Sequence, residues 1–178
     1  MRVLLLADLD LSLPGGLETH VRELASQLAA RGHAIEIFGR PRTLAGYTMV
    51  DRIETSRYDL VHYQGGQWPA GLDSGPRHVR TLHFCVAANM DLYVLMGRLR
   101  TRANLANWRA VAEERRGCRR SGRLIAVAER VRRDFARWHG LDPAAARVIP
   151  NGVSFAPPWE DRGALRARYG ISGRAPVL

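Results

Sequence analysis

The chain has 178 residues, 46% of them hydrophobic and 25% charged, the mixture of an ordinary folded domain; this excludes a disordered tail and leaves room for one well-buried domain but not for a second complete one. The formal net charge is +10 and all 27 basic residues are arginine. Nucleic acid, an anionic membrane and phosphorylated small molecules all attract such a surface, and a genomic base-composition bias produces the same excess, so charge alone selects no partner.

The opening "MRVLLLADLDL" is interrupted by Asp8 and Asp10 before its apolar run reaches the length of a signal peptide or a membrane span. It reads as a first strand over 3–7. A helix is expected over 17–31, because Leu17, Val21, Leu24 and Leu28 share one face while Arg22, Glu23, Gln27 and Arg31 fall toward water. Gly32 then supplies a left-handed stop. Strands follow at 34–38, 59–63 and 79–84, a long helical region within 89–120, a strand at 123–128, a helix at 129–138 and a strand at 147–150. This alternation predicts an α/β fold, a Rossmann-like and mostly parallel sheet with helices on both faces.

Residues 151–178 read differently, with three prolines, a short helical stretch near 161–169 and a final "APVL" that resembles a strand just beginning. The expected division is a Rossmann-like domain over 1–152, followed at 153–178 by an interdomain linker and the start of a C-terminal domain. Cys85 and Cys118 have no CxxC pair and no histidine nearby at metal-ligand spacing, so neither a disulfide nor zinc is expected and a cytoplasmic compartment is.

Pro14-Gly15-Gly16 carries the first chemical signal. Glycine tolerates positive backbone angles and lets a ligand approach the main chain, and the helix start that follows offers unpaired N–H groups. Together they can make a cradle for a phosphate or a sugar; a Gly-Gly pair by itself is better explained by a tight strand-to-helix turn.

"PGGLETHVRELASQLAARGHAIEIF" (14–38) resembles the N-terminal domain of family 4 glycosyltransferases, a retaining family with the two-domain GT-B fold. "YDLVHYQ" (58–64), "RTLHF" (80–84), "RLIAVAERVRRDF" (123–135) and "RVIPNGV" (147–153) continue the resemblance in order along the chain. It implies sugar transfer from a nucleotide-activated donor to a glycan, glycolipid or small-molecule acceptor, with retention and without a metal or resident cofactor. It also implies an acceptor-side role for this domain, the donor nucleotide being held mainly by a C-terminal domain of the same protein. Carried onto this chain, Gly15, Gly16, Glu18, His20 and His62 are implied in substrate binding, and His83 as the catalytic-site histidine that faces the donor sugar. Asn151 and Gly152 are implied as the hinge.

Two positions in the chain depart from the family pattern. Ala128 replaces the serine usual after "RLIAVA", and Gln64 stands where a second histidine is common. The family's diphosphate-gripping basic pair and its spaced glutamates belong to the C-terminal domain and have no counterpart in these residues.

Around 92–120, Leu92, Leu95, Met96, Leu99, Leu105, Trp108 and Val111 alternate with many arginines. A basic amphipathic helix of this kind can lie on an anionic membrane, which suits a lipid-linked acceptor; a sheet-covering helix with a solvated basic rim is the preferred expectation. Specific nucleic-acid binding fits less well, since aromatics are not interleaved with the arginines. A non-catalytic Rossmann-like binding or regulatory module is the principal alternative to an enzyme.

Overall fold

The structure, a computed structural model, describes residues 1–65, 75–97, 103–152 and 161–171. Its centre is β1 (Arg2–Asp10), whose Val3–Ala7 segment is buried on both faces. A continuous apolar run of this kind is what a strand covered on both sides requires. Around it lie β2 (Ala34–Arg40), β3 (Met49–Val50), β4 (Leu60–Tyr63), β5 (Gly75–Leu82), β6 (Ser121–Ala126) and β7 (Ala146–Val148), in the order β3-β2-β1-β4-β5-β6-β7. Every pairing is parallel. The fold class expected from the sequence is therefore the one observed.

The chain order reverses direction at β1, so the carboxyl ends of β1 and β4 flank the topological switch point where open parallel sheets bind ligands. Helix α1 (Gly16–Ala30) covers one face, with Val21 and Ala25 packed among Val3, Leu5, Ala7, Leu11 and Ile37. Gly32 has φ 80°, the left-handed stop read from the sequence. The other face of β1 and β4 buries Leu4, Leu6, Tyr58, Val61 and Tyr63. A third cluster of Leu82, Cys85, Ala87, Cys118, Leu124, Phe135 and Ala146 lies beneath α2 (Val86–Leu95), α3 (Leu105–Arg120) and α4 (Glu129–His139).

Several boundaries differ from the sequence reading for identifiable reasons. The long helical region over 89–120 is two helices: α2 closes before Gly97, which takes φ 81°, and α3 starts anew where the Asn104 side chain accepts from Ala106 N at 2.9 Å. The strand expected at 79–84 starts at Gly75 and stops at Leu82, which places His83 just beyond the sheet. The two-residue β3 was not foreseen, because so short a pairing has no readable period. The helix near 161–169 is present as α5 (Arg162–Arg168), capped by Asp161. The closing "APVL" and Leu99 lie outside the described residues.

The sheet-covering helix preferred for the 92–120 stretch is present as α3, which packs on β5 and β6 with its arginines exposed, but the large apolar residues do not form its contact face. Leu92, Leu95, Met96, Leu105 and Trp108 are exposed, Leu95 at 85%, and of the described members of that set only Val111 packs inward. The residues that α2 and α3 bury are instead Ala87, Met90, Glu114, Gly117 and Cys118. Small residues let α2 and α3 approach, and the larger apolar side chains are displaced outward. Among the described residues no helix is long and apolar enough to cross a membrane.

At the start of α4 the serine usual in the family is Ala128, which occupies the N-cap in extended conformation without a side-chain hydrogen bond. An N-cap serine satisfies one orphan N–H of the first turn. Ala128→Ser is therefore expected to stabilise the domain by about 1 kcal/mol, seen as a higher urea midpoint at unchanged slope.

Candidate active site

The glycine turn is built differently from the sequence expectation. Neither Gly15 nor Gly16 has a positive φ; Gly15 caps α1 in extended backbone at φ −169°, a conformation open to any residue. What Gly15 provides is space: a Cβ there would lie 2.0 Å from Oε2 of Glu18, whose side chain folds back over the helix start. At Gly16 a Cβ would meet nothing within 4 Å. Its surroundings are open, and they open into a cleft.

That cleft, about 600 Å³, is bordered by Gly16, Thr19, His20, Glu23, Leu24, Gln27, Asn151 and Gly152. The structure thus brings four of the residues singled out from the sequence, Gly16, His20, Asn151 and Gly152, to a single concavity. Thr19, Glu23 and Gln27 were missed. From Gly16 they recur at helical spacings of three, four and four, so a polar stripe on α1 distinct from its apolar face was the available signal. Side chains of this kind suit hydroxyl groups: Thr19 and Gln27 can donate to them and accept from them, and the Glu23 carboxylate can accept.

Behind the glycine turn lies a cluster of histidines. His62 (β4) and His83 (just after β5) are joined through Gln64: Gln64 Nε2 is 3.0 Å from His62 Nε2, and His83 Nε2 is 2.9 Å from Gln64 Oε1. Thr81 Oγ1 also lies 2.8 Å from His62 Nε2. The His20 ring, on α1, meets the His83 ring edge-on at a centroid distance of 4.9 Å. His62 and Gln64 are buried, whereas His83 is half-buried and, with Leu17, Gln64 and Thr81, borders a second small cavity of about 20 Å³, enough for one water. His62 therefore stands behind His83, while His83 and His20 reach open space.

Burial pushes the pKa of His62 down to about 4, and the neighbouring His20 and His83 add to that. Burial, with a smaller push from His20, brings His83 to about 4 as well. His20 is lowered by burial against a weaker opposing pull from Gln64. All three rings are neutral at pH 7, so each offers one N–H and one lone pair and no positive charge. His83 is thus equipped to hydrogen-bond a hydroxyl.

These shifts have a consequence for stability. A histidine that titrates near 6.5 unfolded and near 4 folded binds fewer protons in the native state across that window. Stability is therefore full above the unfolded value and falls as pH drops toward the folded one. Urea midpoints are expected to be level from pH 8 to about 7 and to decline steeply from about 6.5 toward 4, and His62→Gln is expected to flatten that decline.

A second buried cluster was not legible in the sequence. Cys85, Glu114 and His139 place one ligand-type atom each within 4.8 Å of one another. His139 Nε2 lies 2.8 Å from Glu114 Oε2 and 3.7 Å from Cys85 Sγ, and both Glu114 oxygens accept from the Val86 amide. Burial pushes the Cys85 thiol up to about 12, so it stays protonated. The donor types suit a divalent metal, but the carboxylate and imidazole already satisfy each other and the start of α2. The chemistry present is that of a polar lock joining α2, α3 and α4. Cys85 and Cys118 are both free and buried.

A doubly wound parallel sheet, with a glycine turn, histidines and an Asn-Gly exit gathered at the carboxyl ends of its strands, defines one half of a GT-B-type architecture. The sequence profile of Glycosyltransferase Family 4 matches residues 39–156, two thirds of the chain, and the chain belongs to that family. A D-inositol 3-phosphate glycosyltransferase of Kineococcus radiotolerans is 28% identical over an alignment covering 92% of this chain and 47% of that protein. Among solved structures, WaaG, a glycosyltransferase involved in lipopolysaccharide biosynthesis, superposes with a TM-score of 0.67 at 18% identity, covering 96% of this chain and 52% of WaaG. Anabaena HepE, solved in complex with UDP-glucose, gives a TM-score of 0.60 at 16% identity, covering 96% of this chain and 50% of HepE. The chain spans about half the length of each of these relatives.

Proposed function

We propose that this chain is the acceptor-side half of a glycosyltransferase that moves a sugar from a nucleotide-activated donor, with retention and without a resident metal or cofactor. A C-terminal domain of the same protein, beginning after the Asn151-Gly152 hinge, would complete the site. The observation that carries this reading is the convergence of Gly16, His20, Asn151 and Gly152 on one cleft at the switch point, with His83 beside it. Gly15 and Glu18 shape the helix start, and His62 backs His83. In this arrangement the cleft polar groups hold acceptor hydroxyls, and neutral His83 hydrogen-bonds the donor sugar as domain closure excludes water. The full-length protein is expected to release nucleoside diphosphate from one of a panel of nucleotide sugars, faster when an acceptor is present. No release from any donor contradicts the reading.

The exposed apolar residues of α2 and α3 favour a cytoplasmic protein held peripherally at the inner face of the membrane, where a lipid-linked acceptor would reside. Leu92, Tyr93, Leu95, Met96, Leu105 and Trp108 stay exposed, and exposed Arg109, Arg115, Arg119 and Arg120 follow on the same helix as Trp108. Apolar insertion combined with basic residues is what binds anionic bilayers. Sedimentation with phosphatidylglycerol-containing vesicles is expected, weakened about tenfold or more by Leu95→Asp with Met96→Asp and by salt. Equal binding to neutral vesicles would contradict the electrostatic part.

A further inference from the structure

We propose that Gln64 is a positioning residue for His83: its carboxamide, clamped between two imidazoles, holds His83 as the Nε2–H tautomer and leaves Nδ1 as the lone-pair nitrogen for a hydroxyl of the bound sugar. This rests on the preceding reading that His83 faces the sugar. A carboxamide has one donor end and one acceptor end. Its nitrogen lies 3.0 Å from His62 Nε2, and with the amide in this orientation that ring nitrogen accepts and the His62 proton sits on Nδ1. Its oxygen faces His83 Nε2 at 2.9 Å, so that nitrogen must carry the proton. The two rings are thereby forced into opposite tautomers by one side chain.

Gln64 is well placed to impose this. It is 1% exposed, and its backbone N–H donates to Leu6 O at 2.8 Å, which extends the β1–β4 ladder by one residue and fixes where the side chain starts. Thr81 Oγ1 lies 2.8 Å from the same His62 Nε2, so its hydroxyl donates there beside the Gln64 amide. The consequence is specific: with Nδ1 unprotonated, His83 accepts a hydrogen bond from an O–H and does not donate one to a carbonyl or phosphate oxygen. The same ring in the other tautomer would present a donor, and the hydrogen bond to a hydroxyl acting as donor would be lost. A histidine at position 64 has a different reach and its own tautomer to settle, so Gln64 makes the assignment by a fixed amide.

The test begins with the unmodified full-length protein. Nitrogen-15 shifts of labelled histidines at pH 7.5 are expected to report His83 as Nε2–H and His62 as Nδ1–H. In Gln64→Leu, His83 is expected to become a mixture of tautomers, with kcat about tenfold lower and KM little changed, the loss of one hydrogen bond made in the transition state. Gln64→Glu, which still accepts from His83 Nε2 but has no donor for His62, is expected to keep the Nε2–H tautomer of His83 while switching His62 to Nε2–H, and to recover most of kcat. An Nδ1–H His83 in the wild type, a tautomer indifferent to Gln64→Leu, or a shifted tautomer with unchanged kcat would each overturn the proposal. A full-length wild type that transfers no sugar overturns the functional reading instead, and that result is separate from the tautomer signal.

Discussion

Gly16→Trp in the full-length protein is expected to lower transfer by about 100-fold or more while leaving the melting temperature nearly unchanged. A Cβ at Gly16 meets nothing within 4 Å, and the position already has a backbone open to any residue. The fold therefore gives no reason for glycine there. The larger side chain enters the cleft, and on the proposed reading an indole there occupies the place where acceptor or donor groups approach. Misplacing a reacting group by about 1 Å costs on the order of 100-fold in rate, and an aromatic ring displaces the ligand by more than that. Gly16→Ala is the control, adding one methyl at the first turn of α1, where alanine is the better helix former. It is expected to hold or slightly raise stability, with a smaller loss of rate. Gly15→Ala behaves differently, since its methyl must push the Glu18 carboxylate aside.

Glu114→Ala is expected to destabilise the domain strongly, by about 3–5 kcal/mol. The substitution strands His139 Nε2 and the Val86 amide in a site where Glu114 and His139 are 1% and 2% exposed. It also opens a void where α2, α3 and α4 meet. Against a total stability of about 5–15 kcal/mol for a natural domain, such a loss is a large share. Urea denaturation checks it. Replacing both partners, Glu114→Leu with His139→Leu, is expected to recover a good part of the loss, because apolar packing replaces the pair and only the Val86 amide is left without its acceptor. A double variant no more stable than Glu114→Ala would mean that the carboxylate acts mainly by capping Val86.

Fold and site were legible to different degrees, and the difference follows from how local each signal is. The strand over 3–7, the α1 apolar face and the Gly32 stop are written in short-range periodicity, and the structure keeps them with shifts of a few residues. Gly16, His20, Asn151 and Gly152 could be gathered only through a family resemblance, since nothing local says that residues 16 and 151 face one cleft. The conformational argument for the glycines failed. Gly15 and Gly16 both avoid positive φ, and what glycine supplies there is room. The Cys85–Glu114–His139 lock was invisible because its members stand far apart in sequence and converge only when three helices pack. Gln64 drew notice as a departure from the family pattern, yet its place at the centre of the histidine cluster needed coordinates. The apolar residues of α2 and α3 looked like a core face because periodicity does not say which way a stripe points when Ala87, Gly117 and Cys118 can serve as the contact face instead.

The most direct test of the central claim, that the His83 side of this cleft is where a donor sugar is transferred, compares kcat/KM for sugar transfer in the full-length wild type and His83→Ala. His83 is half-buried at the end of β5, so the variant is expected to fold, and its kcat/KM is expected to fall by about 100-fold or more through loss of a hydrogen bond and of cleft order. A folded His83→Ala protein that transfers sugar at the wild-type rate would contradict the account.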